Sequence, residues 1–182
     1  MRHRGLSTTI SVILVLGVAG TVAAQSEAAK IATAMGAAPA SIAKDATVKD
    51  WPDKTGKMAT LREGTNGWVC FPSRPETKYR KNDAMCLDPM WQEWMTAYAE
   101  KRTPKITQVG YAYMLSADEW GSNSGEAKEP TPDNQWHHMG PHVMVLYPDA
   151  NLLAGIPVKP SMSGPYVMDS GSPFVHVMWP VK

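Results

Sequence analysis

The clearest periodic pattern in the chain begins at Asp88. Four apolar residues recur at spacings of three and four, which places them on one face of a helix: Trp91, Trp94, Met95 and Tyr98. Asp88 suits the N-cap, Pro89 suits the first helical position, and Thr103-Pro104 stops a helix. The pattern predicts a helix from Asp88 to Arg102 that buries this aromatic stripe against a sheet.

The residues before this helix predict one more helix and a few short strands. Ser26 to Met35 is rich in alanine and is followed by Gly36 and Pro39, which indicates a helix. Ala46–Trp51 predicts a short strand before Pro52. Met58–Glu63 and Trp68–Phe71 predict a hairpin around the turn-rich residues 64–67.

The C-terminal half alternates between apolar and polar positions in short runs. These runs predict strands over Ile106–Leu115, His142–Tyr147, Tyr166–Asp169 and Phe174–Trp179. Residues 116–136 are rich in Gly, Ser, Pro and charge, and we interpret them as a long loop. Short strands with one strong helix predict a single α+β domain, an antiparallel sheet packed by one or more helices.

The first 24 residues have the organisation of an export signal. A short stretch with Arg2 and Arg4 precedes an apolar run, and small residues precede Gln25. A membrane anchor is the alternative, but a spanning helix needs ~20 apolar residues and this run is shorter. We therefore expect residues 1–24 to be a signal peptide that is cleaved after Ala24, and residues 25–182 to form one globular domain in the periplasm or outside the cell.

The charge of the chain argues against two classes of partner. The formal net charge is +1, and it becomes −1 when Arg2 and Arg4 leave with the signal peptide. A near-neutral protein without a basic cluster lacks the electrostatic footprint of a nucleic-acid or anionic-membrane binder. We expect no nucleic-acid partner, and no membrane association after cleavage of the leader.

Both cysteines, Cys70 and Cys86, lie in the mature chain. In an oxidising compartment an even pair is interpreted first as a disulfide. A reactive or metal-binding thiol pair is the alternative. The sequence favours a structural Cys70–Cys86 bridge, which would stabilise the fold by roughly 3 kcal/mol.

Common catalytic signatures are missing from the sequence. It contains no phosphate loop and no dinucleotide glycine fingerprint. His138 and His142 have the spacing of a helical zinc site, but Gly140-Pro141 between them opposes a helix. No residue is therefore assigned a catalytic role.

One pattern suggests a metal site, because His142-Val143-Met144 recurs as His176-Val177-Met178. In a strand, residues i and i+2 share a face. If the two strands pair with His142 opposite Met178, then Met144 lies opposite His176, and two imidazoles and two thioethers converge. Imidazole with thioether suits copper, and thioether selects Cu(I). The sequence predicts one copper ion on these four residues; His137, His138 and Met139 are possible additional ligands.

Two other interpretations of the same residues stay open. Methionine is a common core filler. We expect the two histidines to lie on the more polar face of their strands, where a histidine is often only hydrogen-bonded. Alternatively, His142 or His176 is the general base of a hydrolase in a pocket under the long loop. The candidate functions are therefore a copper or small-ligand binding module, a hydrolase-type enzyme, and a non-catalytic interaction protein.

Several motifs together resemble a family of exported bacterial proteins for which no activity is known. They are Asn66-Gly67-Trp68-Val69-Cys70, Met85-Cys86-Leu87-Asp88 with Trp91 and Trp94, Gly140-Pro141-His142-Val143-Met144, Gly164-Pro165-Tyr166-Val167-Met168 and His176-Val177-Met178. The resemblance spans most of the mature chain. It implies export and assigns no ligand, fold or catalytic residue.

Overall fold

The computed structural model describes residues 25–123 and 127–181. The predicted signal peptide lies outside these residues. The fold is α+β, as predicted, with one eight-stranded sheet, one three-stranded sheet and helices. The helices are α1 (Glu27–Met35), α2 (Ala40–Ala43), α3 (Pro89–Ala99) and a 3₁₀ helix (Ala150–Leu153). The strands are β1 (Thr47–Lys49), β2 (Thr60–Arg62), β3 (Val69–Phe71), β4 (Arg80–Asn82), β5 (Met85–Leu87), β6 (Gly110–Met114), β7 (Asp118–Gly121), β8 (His137–Met139), β9 (His142–Leu146), β10 (Tyr166–Met168) and β11 (His176–Pro180).

Helix α3 begins where its capping residues predict. The Asp88 side chain accepts a hydrogen bond from the Trp91 amide at 2.9 Å, and its second oxygen accepts one from the amide of Tyr111 in β6. One carboxylate thus caps the helix and fixes it to the sheet. Helix α1 has the same kind of start, because the side chain of its N-cap Ser26 accepts from the Ala29 amide.

The aromatic stripe of α3 is only partly in the core. Trp91 is 3% exposed and Trp94 is half-buried, whereas Tyr98 is 40% exposed. The expectation that Tyr98 is buried is therefore wrong. It lies at the end of the stripe, where its ring stacks on Trp94 at 5.3 Å instead of entering the core.

The large sheet is mixed, with the strand order β10-β11-β9-β6-β5-β3-β1-β2. Every pairing is antiparallel except β1 with β3. The hairpin predicted from Met58–Glu63 and Trp68–Phe71 is wrong, because β1 inserts between β2 and β3. Gly64 permits this arrangement: a Cβ there would come within 2.2 Å of the Thr47 backbone nitrogen in β1.

The segment 116–136, interpreted from the sequence as a loop, contains a strand. Asp118–Gly121 forms β7, which pairs with β4 on one side and β8 on the other in the small sheet. This sheet contributes Met139 to the methionine-rich core beneath α3. The correction matters because β7 also brings Glu119 to the site described below.

The predicted Cys70–Cys86 disulfide is confirmed. The two residues lie directly opposite each other in β3 and β5, so the bridge joins neighbouring strands. It belongs to a core of small side chains beneath α1, on the sheet face opposite α3; its alanines are Ala34, Ala37, Ala38, Ala43, Ala46 and Ala84. Within residues 25–123 and 127–181, no helix combines the length and apolar character that crossing a membrane requires.

Candidate functional site

The two His-Val-Met segments lie on neighbouring antiparallel strands, β9 and β11, as the sequence predicts. The register differs from the predicted one by two residues. Met144 lies opposite Met178, and His142 lies opposite Pro180. Because the side-chain period of a strand is two, this shift keeps all four candidate ligands on one face. In the predicted register the four side chains would stand at the corners of a square. In the observed register they lie in a row along the two strands.

The line has three levels along the strands. His142 lies at the first level, with Met114 of β6 directly opposite it. Met144 and Met178 face each other at the second level. His176 lies at the third level, with Met168 of β10 directly opposite. Successive levels are two residues apart, about 6.7 Å, so the two thioethers lie between the two imidazoles.

These residues line a cavity of about 360 Å³ between the large sheet, α3 and β7–β8. Seven of the chain's 12 methionines line it: Met85, Met95, Met114, Met139, Met144, Met168 and Met178. His142 and His176 are 2% and 4% exposed. The histidines thus lie in the main core, and the expectation that they occupy the more polar face of their strands is wrong.

The His142 ring is neutral, with its proton on Nδ1 and a lone pair on Nε2. Its Nδ1 lies 2.7 Å from the carbonyl oxygen of Gly140, which can only accept, so Nδ1 carries the proton. Burial, with a smaller effect from the nearby His176, lowers the pKa of His142 to about 4. The ring is therefore neutral at pH 7. Its Nε2 keeps a lone pair and forms no hydrogen bond to the described residues.

His176 repeats this arrangement on the other strand. Its Nδ1 donates to the carbonyl of Phe174 at 2.9 Å, and burial lowers the pKa of the ring. The edge-on rings of Trp91 and Trp94 lie 5.1 and 5.8 Å away and fix the imidazole plane. Metal-ligating histidines in proteins usually donate their second nitrogen to a backbone carbonyl or carboxylate in this way.

The neighbouring histidines are different. His137 also has Nδ1 on a carbonyl, that of Gln135, but its Nε2 lies 2.9 Å from the Tyr166 hydroxyl. The Nε2 of His138 pairs with Asp118 on the surface. Neither ring lines the cavity, whereas Met139 does. Of the three possible additional ligands, only Met139 reaches the site.

Two carboxylates reach the cavity wall. Glu119 enters from β7, and its carboxylate forms no hydrogen bond or ion pair with the described residues. Burial, with a smaller effect from Asp83, raises its pKa to about 7. Asp169 follows Met168 at the end of β10, and its charge acts on His176. A cation in this cavity would therefore have the carboxyl groups of Glu119 and Asp169 near it.

The cavity is lined mainly by methionine and aromatic side chains. Among the described residues that line it there is no serine, threonine or cysteine to serve as a nucleophile. The described residues also contain no group of three or more His, Cys, Asp or Glu side chains that could hold a metal ion. Beside the two imidazoles the cavity offers thioether sulfur, a ligand that selects soft ions.

Met114, Met168 and Glu119 also line the cavity, and we did not predict this from the sequence. Met168 ends a third Val-Met pair in the chain, Val167-Met168, and this repetition was the available signal. Met114 and Glu119 depend on strand pairing, which has no local signature. Comparison of the chain with known protein families, with curated proteins and with solved structures found no match, so the resemblance noted from the motifs gains no support.

Proposed function

We propose that the protein is an exported copper-binding protein that holds one Cu(I) ion on His142, Met144, His176 and Met178. One observation carries the proposal: two buried imidazoles, whose Nε2 atoms have no hydrogen-bond partner among the described residues, line the same cavity as two opposed thioethers. Soft sulfur and neutral imidazole nitrogen are the ligands that Cu(I) prefers.

The direction of the rings supports one shared site. In each histidine, Nδ1 turns back to the carbonyl two residues earlier in the chain. Since Nδ1 and Nε2 point in nearly opposite directions, each Nε2 turns toward the later residues of its own strand. These are Met144 in β9 and Met178 in β11, and because the strands are antiparallel the two rings turn toward each other.

The compartment suits the proposal. The predicted signal peptide directs the chain out of the cytoplasm, and the Cys70–Cys86 disulfide fits an oxidising compartment. Because both cysteines are in the bridge, the protein cannot use thiolates for copper. Methionine and histidine then provide the soft ligands.

An anaerobic competition titration with a chromogenic Cu(I) chelator tests the proposal. The wild-type mature protein should take up one Cu(I), and His142→Ala and His176→Ala should each weaken binding by at least ~10-fold. His137→Ala is the matched control, because its Nε2 is occupied by Tyr166; it should bind as the wild type does. Equal binding by all variants, or none by the wild type, would contradict the proposal.

The histidines are buried, so their replacement could also damage the fold. Met144→Leu and Met178→Leu avoid this difficulty, because they conserve volume and cost less than ~1.5 kcal/mol in most cores. Each removes one sulfur from the set. Both should weaken Cu(I) binding while leaving the denaturant melt nearly unchanged.

A further inference from the structure

Two groups of partly exposed residues in the cavity wall carry charge, and we call them the first rim and the second rim. The first rim has Arg74, whose side chain is 44% exposed, with Trp51 beside it. The second rim has Met168 and Asp169, both half-buried, and Tyr98. The ligands proposed above lie deeper, with 2% to 8% exposure. The two rims are therefore candidate entry points for an ion.

The two rims carry opposite charges, and this difference favours entry of a cation at the second rim. The Arg74 guanidinium repels an approaching cation, although its ion pair with the buried Asp83 reduces this effect. At the second rim, the Asp169 carboxylate attracts a cation, and its field already acts on His176. Local charge of one sign at a cleft raises the rate at which the opposite charge enters.

We infer that Cu(I) enters at the second rim, with Met168 as a transient first ligand that passes the ion to His176. This inference rests on the copper-binding function proposed above. Met168 is half-buried, lines the cavity and lies directly opposite the buried His176, so it is placed between the rim and that ring. The metal stays Cu(I) throughout. A copper–sulfur bond to Met168 forms as a bond to the donor chelator breaks. The bond to Nε2 of His176 then forms as the bond to Met168 breaks, and no proton moves because this nitrogen is already unprotonated.

Met114 provides a matched control. It lies directly opposite His142, as Met168 lies opposite His176, and it lines the same cavity. However, Met114 is 4% exposed and belongs to the buried end. Leucine conserves the side-chain volume at either position. Met168→Leu therefore removes a thioether at the second rim, and Met114→Leu removes one at the buried end.

Stopped-flow transfer of Cu(I) from its complex with a chromogenic chelator tests the inference, with the equilibrium constant measured in parallel. Met168→Leu should slow transfer several-fold while the equilibrium affinity stays close to that of the wild type. Met114→Leu should leave the transfer rate unchanged. Equal rates for the wild type and Met168→Leu would overturn the inference, and so would equal slowing by both variants.

The charge of the rim is tested separately. Asp169 has a φ of 55°, a conformation that asparagine also tolerates, so Asp169→Asn removes charge with little strain. It should slow transfer of a cationic Cu(I) complex by roughly tenfold at low salt and have little effect at high salt. No change at low salt would contradict entry at this rim. A wild type that binds no Cu(I) would instead refute the function itself.

If Met168→Leu weakens equilibrium binding as much as His176→Ala does, Met168 is a resident ligand. That result would overturn its role as a transient one. It would leave the copper-binding function standing, so the two claims fail separately.

Discussion

The two faces of the large sheet are packed with different side chains. Beneath α1 and α2, alanines close around the Cys70–Cys86 bridge. Beneath α3 and the small sheet, methionines, aromatic rings and two histidines surround a cavity of about 360 Å³. Small side chains on the first face let the helices approach closely. On the second face, long thioethers leave a cavity with soft atoms on its wall, and the proposed copper site lies in that cavity.

The largest expected effect tests the aromatic wall of the second face. Trp91→Ala should lower the free energy of unfolding by ~3–5 kcal/mol, because it empties a fully buried position. Trp94→Ala should cost clearly less, since Trp94 is half-buried. Denaturant melts measure both values. A larger loss for Trp94 than for Trp91 would show that the wall is not packed as described.

The first face depends on its covalent bridge. Replacing both Cys70 and Cys86 with serine should lower the free energy of unfolding by roughly 3 kcal/mol, because the unfolded chain loses a constraint. The comparison is a melt of the wild type with and without reductant. An unchanged midpoint would indicate that the alanine core alone holds this face together.

Acid should lower the free energy of unfolding by protonating His142 on the second face. Its pKa is about 4 in the folded protein and 6.5 in the unfolded chain, so the unfolded chain binds the proton more tightly. This contribution to stability is complete above pH 6.5 and is lost as the pH falls toward 4, at most roughly 3 kcal/mol. His142→Gln should flatten the loss over this window in pH-dependent melts. The same slope in both proteins would contradict a buried neutral ring.

The contribution of Glu119 to stability depends on pH in the opposite direction, so it provides a control within the same protein. Its pKa rises from 4.5 to about 7 on folding, so its contribution is present below pH 4.5 and is lost as the pH rises through 7. Glu119→Gln should therefore gain stability relative to the wild type at pH 8 but not at pH 4. A uniform gain at both values would mean that the charge of Glu119 is not the cause.

The smallest expected change in stability distinguishes packing from binding. The double variant Met144→Leu with Met178→Leu should keep most of its stability, because leucine conserves the volume of each side chain. It should nevertheless lose most of its Cu(I) affinity in the competition titration. Retained affinity would mean that the methionines only fill the core.

Local features of the fold were predictable from the sequence. The caps Asp88 and Ser26 set the starts of the two long helices, and the period of two placed His142 and Met144 on one face. Cys70 and Cys86 could be paired because the sequence has no other cysteine.

Long-range pairings were not predictable. The register of β9 against β11 is set by the whole sheet, since no tight turn joins the two strands. The insertion of β1 between β2 and β3 has no local signature either. The polar strand β7 lacks an apolar alternation, so Glu119 stayed hidden. The burial of the histidines followed from α3 and the small sheet covering their face, which only the tertiary structure shows.

The central claim is that nitrogen and sulfur of this cavity bind the same Cu(I) ion. X-ray absorption at the copper edge tests it most directly, on wild-type protein loaded anaerobically with one Cu(I). The account predicts both imidazole nitrogen and thioether sulfur as copper neighbours, with the sulfur signal lost in the Met144→Leu, Met178→Leu variant. A copper environment without sulfur, or one that the double variant leaves unchanged, would contradict it.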